Sequence, residues 1–385
     1  MNRVKIAPMT GTCGVSLSTT VVLAVVGLLG GCSSRATQAS TRSTGGFAGT
    51  SAPATSIEGG ANWRRVAVPA ASALVGVACP STGTCTAVGT STGGGVLLSG
   101  TGGSWSMRTI PAGVFSLNAI ACPQEMDCTA VGQSRIAPIA SILTEHRGHW
   151  TMEPAPSAAG SLSGIACPSA ADCIAVGYGG RGAAILTTSG SAWISQPVPT
   201  GVVALYGIAC ISTSECTAVG DSSPNGEAGH GVIISTFDGG ASWRKQPVPG
   251  GVDSLLGIAC TSATECTAVG MTGHSTSSVG VVLATTDSGH SWVKQSVPSG
   301  VSELFDIACP LPGKCVAVGV RGAPSSPSAV VLVSAAGTWI GRSIPSGVSL
   351  LARVSCPSLN ACTAVGVSSV GNTSHGVVLV ESVAN

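Results

Sequence analysis

Apolar runs of four to six residues alternate with clusters of Gly, Pro, Ser and Asp along most of the chain. The clearest set runs Leu255 to Cys260, Cys266 to Val269, Gly280 to Thr285 and Trp292 to Val297. Runs of that length, rich in Val, Ile and Leu and bounded by turn residues, read as β-strands joined by tight turns. The four together predict one four-stranded antiparallel sheet. Such a sheet cannot bury both of its faces alone, so several must pack face to face, and Gly257, Ala259 and Ala268 are small enough to let inner strands approach closely.

The same set returns seven times. Its first cysteine falls at Cys79, Cys122, Cys167, Cys210, Cys260, Cys309 and Cys356, and the partner six residues on at Cys85, Cys128, Cys173, Cys216, Cys266, Cys315 and Cys362. The six intervals from Cys79 to Cys356 give a period of about 46 residues, within the range of four-stranded propeller blades. Seven such periods account for the chain from Trp63 to Asn385, so no second folded domain is left over. The chain enters on a lone Trp-containing run, Trp63 to Pro69, and leaves on a third-strand run, His375 to Glu381, that lacks its Trp-strand. If the first run completes the last sheet, the ring closes without an open edge. The fold expected is all-β: a seven-bladed β-propeller of four-stranded antiparallel blades, the last closed by the N-terminal strand.

Composition agrees with this class. Gly is abundant at 54 residues, while charged residues make up 9% and aromatic residues 3% of the chain. A net charge of +1 with no basic run gives no footprint for a phosphate backbone, which excludes nucleic acid as the expected partner. Richness in Ala, Gly and Val points to a GC-rich bacterial source. Arg3 and Lys5 precede an apolar run from Val15 to Leu29 and then Leu29-Gly30-Gly31-Cys32, the layout of an export signal. Leu-Gly-Gly-Cys resembles the lipobox of bacterial lipoproteins, which implies cleavage before Cys32 and lipidation of that residue. The expected organisation is a signal peptide over 1–31, a Ser/Thr/Gly-rich tether over 32–55 and the propeller over 56–385. A tether of this composition spans roughly 25–30 Å as a flexible coil. The chain is expected to be extracytoplasmic, lipid-anchored to the bacterial cell membrane and monomeric.

Between third and fourth strands lie Thr236-Phe-Asp238-Gly-Gly240-Ala-Ser-Trp243 and Thr285-Thr-Asp287-Ser-Gly289-His-Ser-Trp292. Both resemble the Asp-box (BNR repeat) turn of sialidase-type propellers. Ser56-Ile-Glu58-Gly-Gly60-Ala-Asn-Trp63 is a variant with Glu, and the turns before Trp105, Trp150, Trp193 and Trp339 lack the Asp. The local logic is that Asp accepts backbone hydrogen bonds across the turn, Gly takes a positive φ, and Trp fills the gap between blades. The resemblance implies a propeller similar in fold to sialidases and to photosystem II stability factors, and it marks a fold element rather than an active site.

The fourteen paired cysteines are expected to form seven disulfides. Each pair brackets a five-residue turn in an exported chain, and zinc would need four ligands where each blade offers two. Propeller topology puts these turns and the Asp-turns on one face. The loops after each Ala-Val-Gly lie on the other: Thr90 to Gly95, Tyr178 to Gly182, Asp221 to Gly231, Met271 to Gly280 and Val367 to Gly376. Variable loops on a rigid scaffold are where binding sits. Candidate residues of that face are Arg135, Tyr178, Arg181, Asp221, Glu227 and Arg321. A sialidase-type site would need three Arg to converge on a carboxylate beside a Tyr nucleophile and an acid, and Ser134-Arg135-Ile-Ala-Pro138 only faintly echoes that family's Arg-Ile-Pro element. His230, His274 and His375 share the face without metal-ligand spacing. No cofactor fingerprint is present. The reading is a non-catalytic binding or scaffold propeller recognising a protein or glycan through its variable-loop face, with a sialidase-like glycoside hydrolase and an assembly factor as the alternatives.

Overall fold

The computed structural model describes residues 62–136, 139–190, 192–222, 229–273, 278–335, 337–371 and 373–382. Cys32, Glu58, Glu227 and His274 lie outside them, as do the signal and tether segments. The described residues form seven four-stranded antiparallel sheets. In six of them the strands are consecutive in sequence. The seventh takes its fourth strand from the start of the chain: Asn62–Val66 pairs antiparallel with Thr373–Ser382, Trp63 opposite Glu381 and Val66 opposite Val378. The blades therefore close into a ring as the sequence predicts.

Seven apolar clusters hold the ring, and each straddles two neighbouring blades. Val219 and Ile233 of blade four, for example, pack on Leu255, Ile258, Ala268 and Leu283 of blade five. The cluster that closes the circle joins Val365 and Val378 of blade seven to Leu74, Val77 and Ala87 of blade one. Within the repeated Ala-Val-Gly, Ala faces the preceding blade and Val the following one, which is why a sheet buried on both faces reads as a continuous apolar run.

The Gly of that triplet has a different reason. In every blade the inner strand carries a β-bulge after a buried Leu, as between Leu255 and Gly257, directly across from Ala-Val-Gly. The bulge drives an inner-strand carbonyl into the space of a side chain. A Cβ on Gly270 would lie 2.0 Å from the Ser254 oxygen, and the same overlap of 2.0–2.1 Å recurs at Gly89, Gly132, Gly177, Gly220, Gly319 and Gly366. Only a residue without a side chain fits there.

All seven disulfides are formed, each between the ends of the first and second strands with Cα atoms 4.0–4.1 Å apart. The loops are short, so each bridge contributes less than the ~3 kcal/mol of a 15-residue loop. Hydrogen bonds tie these turns to the third-to-fourth turns of the same blade, Gly239 N to Ser214 O at 3.0 Å and Gly102 N to Gly83 O at 3.0 Å, which places both kinds of turn on one face. On the opposite face the third strand donates to the link entering the next blade, as Gly231 N does to Val252 O. There the variable loops of blades one, three and seven are tight hairpins: Ser91 pairs with Gly94, Gly179 with Gly182, and Val370 with Thr373. Gly94 and Gly182, at φ of 130° and 115°, allow the reversal. The long connections of this face belong to blades two, four, five and six.

In the two Asp-turns the carboxylate is fully engaged. Asp238 Oδ2 accepts from Ser242 Oγ at 2.6 Å, and its Oδ1 from Ser242 N at 2.9 Å and Thr236 Oγ1 at 2.8 Å. Asp287 repeats the set with Ser291 and Thr285. In blades three and six, where the Asp is lost, the hydroxyl at the position of Thr236 turns to the disulfide instead. Thr188 and Ser334 accept the N–H of the second cysteine, Cys173 and Cys315, at 2.9 and 2.7 Å.

The hydrogen bonds of Ser242 and Ser291, followed by those of Thr236 and Thr285, hold both Asp carboxyls at about 2. Their contribution is complete above the ordinary value near ~4 and is lost as pH falls toward 2. Buried Glu145 and partly buried Glu381 are shifted upward by desolvation, the opposite sign, so the two effects overlap in the wild type alone. The difference separates them. The melting temperature of wild type minus that of the Asp238→Asn/Asp287→Asn variant should be largest above about pH 5 and shrink towards zero near pH 2; a difference that does not change with pH would refute the assignment.

Candidate functional site

The inner strands surround the axis, and the bulge decides what they present to it. The residue after the bulge is Gly76, Ala119, Gly164, Gly207 and Gly257 in blades one to five, then Asp306 and Arg353 in blades six and seven. The small residues let neighbouring inner strands touch: a Cβ on Gly257 would lie 2.7 Å from the Asp306 Cα. Arg353 uses the room this leaves. Its guanidinium donates to Phe305 O of blade six and Ala352 O of its own blade, both at 3.3 Å, and crosses the axis to Ser163 O of blade three at 3.3 Å. The ring is thus pinned across its diameter by one side chain.

Asp306 accepts from Val354 N at 2.9 Å, joining blades six and seven. It keeps slight contact with the channel, yet the packing around its carboxyl is dense. Desolvation raises its pKa most strongly, against the lowering by Arg353 and by the N–H groups of Val354 and Ile307. Asn118 makes the corresponding polar link from blade two to blade three, donating to Leu162 O at 2.8 Å.

Towards the variable-loop end of the axis, the positions just after Ala-Val-Gly carry Tyr178 and Asp221, opposite Ser161 and Ala204. The Tyr206 hydroxyl donates to Asp221 Oδ2 at 2.9 Å. Burial, then the Asp221 charge and this hydrogen bond, then Tyr178, push the Tyr206 phenol upward, so it stays protonated and serves as a donor. At the position of Ala204, blade six carries Glu303, whose half-buried carboxyl is shifted up by desolvation and whose Oε2 is buried without a hydrogen-bond partner. Tyr178, Tyr206, Asp221 and Glu303 give this mouth its chemistry: hydroxyl donors and two carboxyls on aromatic walls.

The three arginines singled out from the sequence take no part in it. Arg135 is exposed, donates to Gly93 O of blade one at 3.0 Å and lies over the Phe115 ring at 5.9 Å. Arg181 is exposed at the tip of the blade-three hairpin, and Arg321 is exposed on blade six opposite Val301. His230 and His375 are exposed as well. Beside Arg135 stand two residues that the sequence does not single out: Phe115, 51% exposed, and Ile136, 85% exposed. Aligning the repeats exposes Asp306 and Arg353 as charges in a column of Gly and Ala, and Glu303 as a charge in a column of Ala, Ser and one Leu. No pattern marks Phe115 or Ile136.

Replacing Arg353 by Leu leaves Asp306 without its nearest positive charge and should cost on the order of 3 kcal/mol in urea unfolding. Adding Asp306→Ala should recover part of that loss. Strictly additive effects would show that the two are not coupled.

No protein-family model and no curated protein matches this chain. Solved structures do match. YCF48 bound to D1 peptide is similar at 15% identity and a TM-score of 0.57, with 84% of this chain and 97% of that one covered. U3-55K matches at 10% and 0.58, covering 83% and 98%. The WD40 β-propeller domain of Doa1 matches at 10% and 0.58, covering 84% and 98%. At these identities the likeness concerns fold, and the chain is a seven-bladed β-propeller.

Proposed function

We propose that this propeller is a surface-tethered binding or scaffold protein that docks a polypeptide partner on its variable-loop face. The observation that carries the reading is the shoulder beside the axial mouth, where Phe115 and Ile136 stand largely exposed and the Arg135 guanidinium lies over the Phe115 ring. Aromatic and Arg side chains held in place are the residue types that dominate protein interfaces. Arg135 is fixed to Gly93 O, so less conformational freedom is lost when a partner covers it. Val203 and Val279 add exposed apolar surface near the same end of blades four and five. A propeller of this general design does take polypeptide: YCF48 is seen with a D1 peptide. The Arg135, Arg181 and Arg321 positions favour this reading over a glycoside hydrolase, since Arg135 is already engaged away from the axis. Lipidation of Cys32, with residues 32–55 as tether, would hold the face above a membrane.

The test is recovery of cross-linked partners from the cell envelope with the full chain. Phe115→Ala/Ile136→Ala should lower partner affinity roughly 30-fold and leave stability within about 0.5 kcal/mol, because both side chains are exposed. Phe237→Ala, on the disulfide face, should change nothing. Loss of the partner with Phe237→Ala alone would overturn the assignment. The intact mass of the same extract should show a chain that begins at acylated Cys32, and a chain still starting at Met1 would refute the tether.

A further inference from the structure

In blades four and five, the Gln three residues after the outer-strand Trp clasps the next blade. Between blades four and five, Gln246 Oε1 accepts from Trp292 Nε1 at 3.0 Å, while its Nε2 donates to Ser235 Oγ at 2.7 Å and to the Ser288 carbonyl at 3.3 Å. Gly289 of the same turn presses on the carboxamide so closely that a Cβ would lie 2.1 Å from Oε1. Every polar atom of that carboxamide is used, and the turn covers it.

Between blades five and six the clasp is half made. Gln295 Oε1 accepts from Trp339 Nε1 at 2.7 Å. Ala284 stands where Ser235 stands, so the hydroxyl acceptor is missing. The third and fourth strands of blade six, Ser328–Ala335 and Thr338–Gly341, are joined by two residues, so there is no counterpart of the Ser288-Gly289 turn. No acceptor among the described residues meets Gln295 Nε2.

A cavity of about 140 Å³ opens at this place. The equivalent gap between blades four and five holds about 20 Å³. Several lining positions correspond, Glu265 answering Glu215, Thr267 answering Thr217 and Gln295 answering Gln246, but Thr261 and Thr286 replace Ile211 and Phe237. Threonine hydroxyls thus stand where the smaller gap has apolar side chains, while Ala284 takes the place of Ser235. Its size is of the order that admits a benzene ring, enough for the tip of a small-residue turn.

We propose that this cavity receives a turn of a partner polypeptide, which presents a backbone carbonyl and a small residue to Gln295 as Ser288 and Gly289 present theirs to Gln246 one blade earlier. The site lies on the disulfide face, opposite the loop face, so it stands or falls independently of the docking surface there. A carbonyl acceptor satisfies the spare Nε2 donor, and the threonine hydroxyls accommodate the polar flanks of a turn.

The probe is acetyl-Thr-Thr-Asp-Ser-Gly-His-Ser-amide, the blade-five turn itself, titrated into the ¹⁵N-labelled full chain. The side-chain NH₂ resonances of Gln295 should shift saturably while those of Gln246 stay in place. Gln295→Glu keeps an acceptor for Trp339 but removes both donors, and should weaken binding roughly tenfold. Ala284→Ser supplies an internal acceptor and should weaken it too, which keeps the test decisive if the first variant misfolds. Unshifted Gln295 resonances, or unchanged affinity in both variants, would overturn the proposal. So would a shift of Gln295 with glucose in place of the peptide, since that would make the cavity a carbohydrate subsite.

Discussion

Seven times around the axis, a carbonyl oxygen of the inner strand occupies the space that a side chain on the second strand would fill. The bulge that follows each buried Leu creates this approach, and the Gly of Ala-Val-Gly accommodates it. With the second strand lying this close, the bulged residue and its successor both turn towards the following blade and the axis. That is what lets Gly76, Gly164 and Gly207 bring neighbouring inner strands into contact, and what points Tyr206 and Arg353 to the places where their hydrogen bonds are made. Blade packing, the axial plug and the mouth all follow from one local backbone geometry.

The ring departs from its own repeat in a graded way. On the outer circumference the Gln clasp is complete at blade four and partial at blade five. Blades one and six carry Arg108 and Arg342 at the same position, residues that can only donate. The Trp residues that would have used those clasps, Trp150 and Trp63, are the ones with buried indole N–H groups left unpaired. At the centre, blades six and seven carry Asp306 and Arg353 where the others carry Gly or Ala. Each exception falls where a repeated contact has been given up, which makes the exceptions more informative about binding than the repeat itself.

The architecture was legible because it is written seven times. The C-x₅-C pairs, the Ala-Val-Gly triplets and the Trp period fixed blade number, closing strand and the face shared by the disulfides and Asp-turns. The candidate site was legible only in part. Tyr178 and Asp221 follow Ala-Val-Gly and do reach the mouth, but Arg135, Arg181 and Arg321 were grouped by charge and loop position, which do not say where a side chain points, and all three are exposed. Arg353 lies inside a strand, where a charge reads as a surface residue unless the bulge is known to turn it towards the axis. Phe115 and Ile136 look like two more apolar residues in an apolar chain, and only their exposure distinguishes them.

The dependence of the ring on the glycine-carbonyl approach can be measured by denaturant unfolding of Gly270→Ala beside Gly180→Ala, whose added Cβ meets nothing within 4 Å. A methyl group at position 270 must displace the Ser254 carbonyl and should cost about 3 kcal/mol or more, while the position-180 variant should stay within about 0.5 kcal/mol of wild type. Equal stability of the two variants would contradict the account.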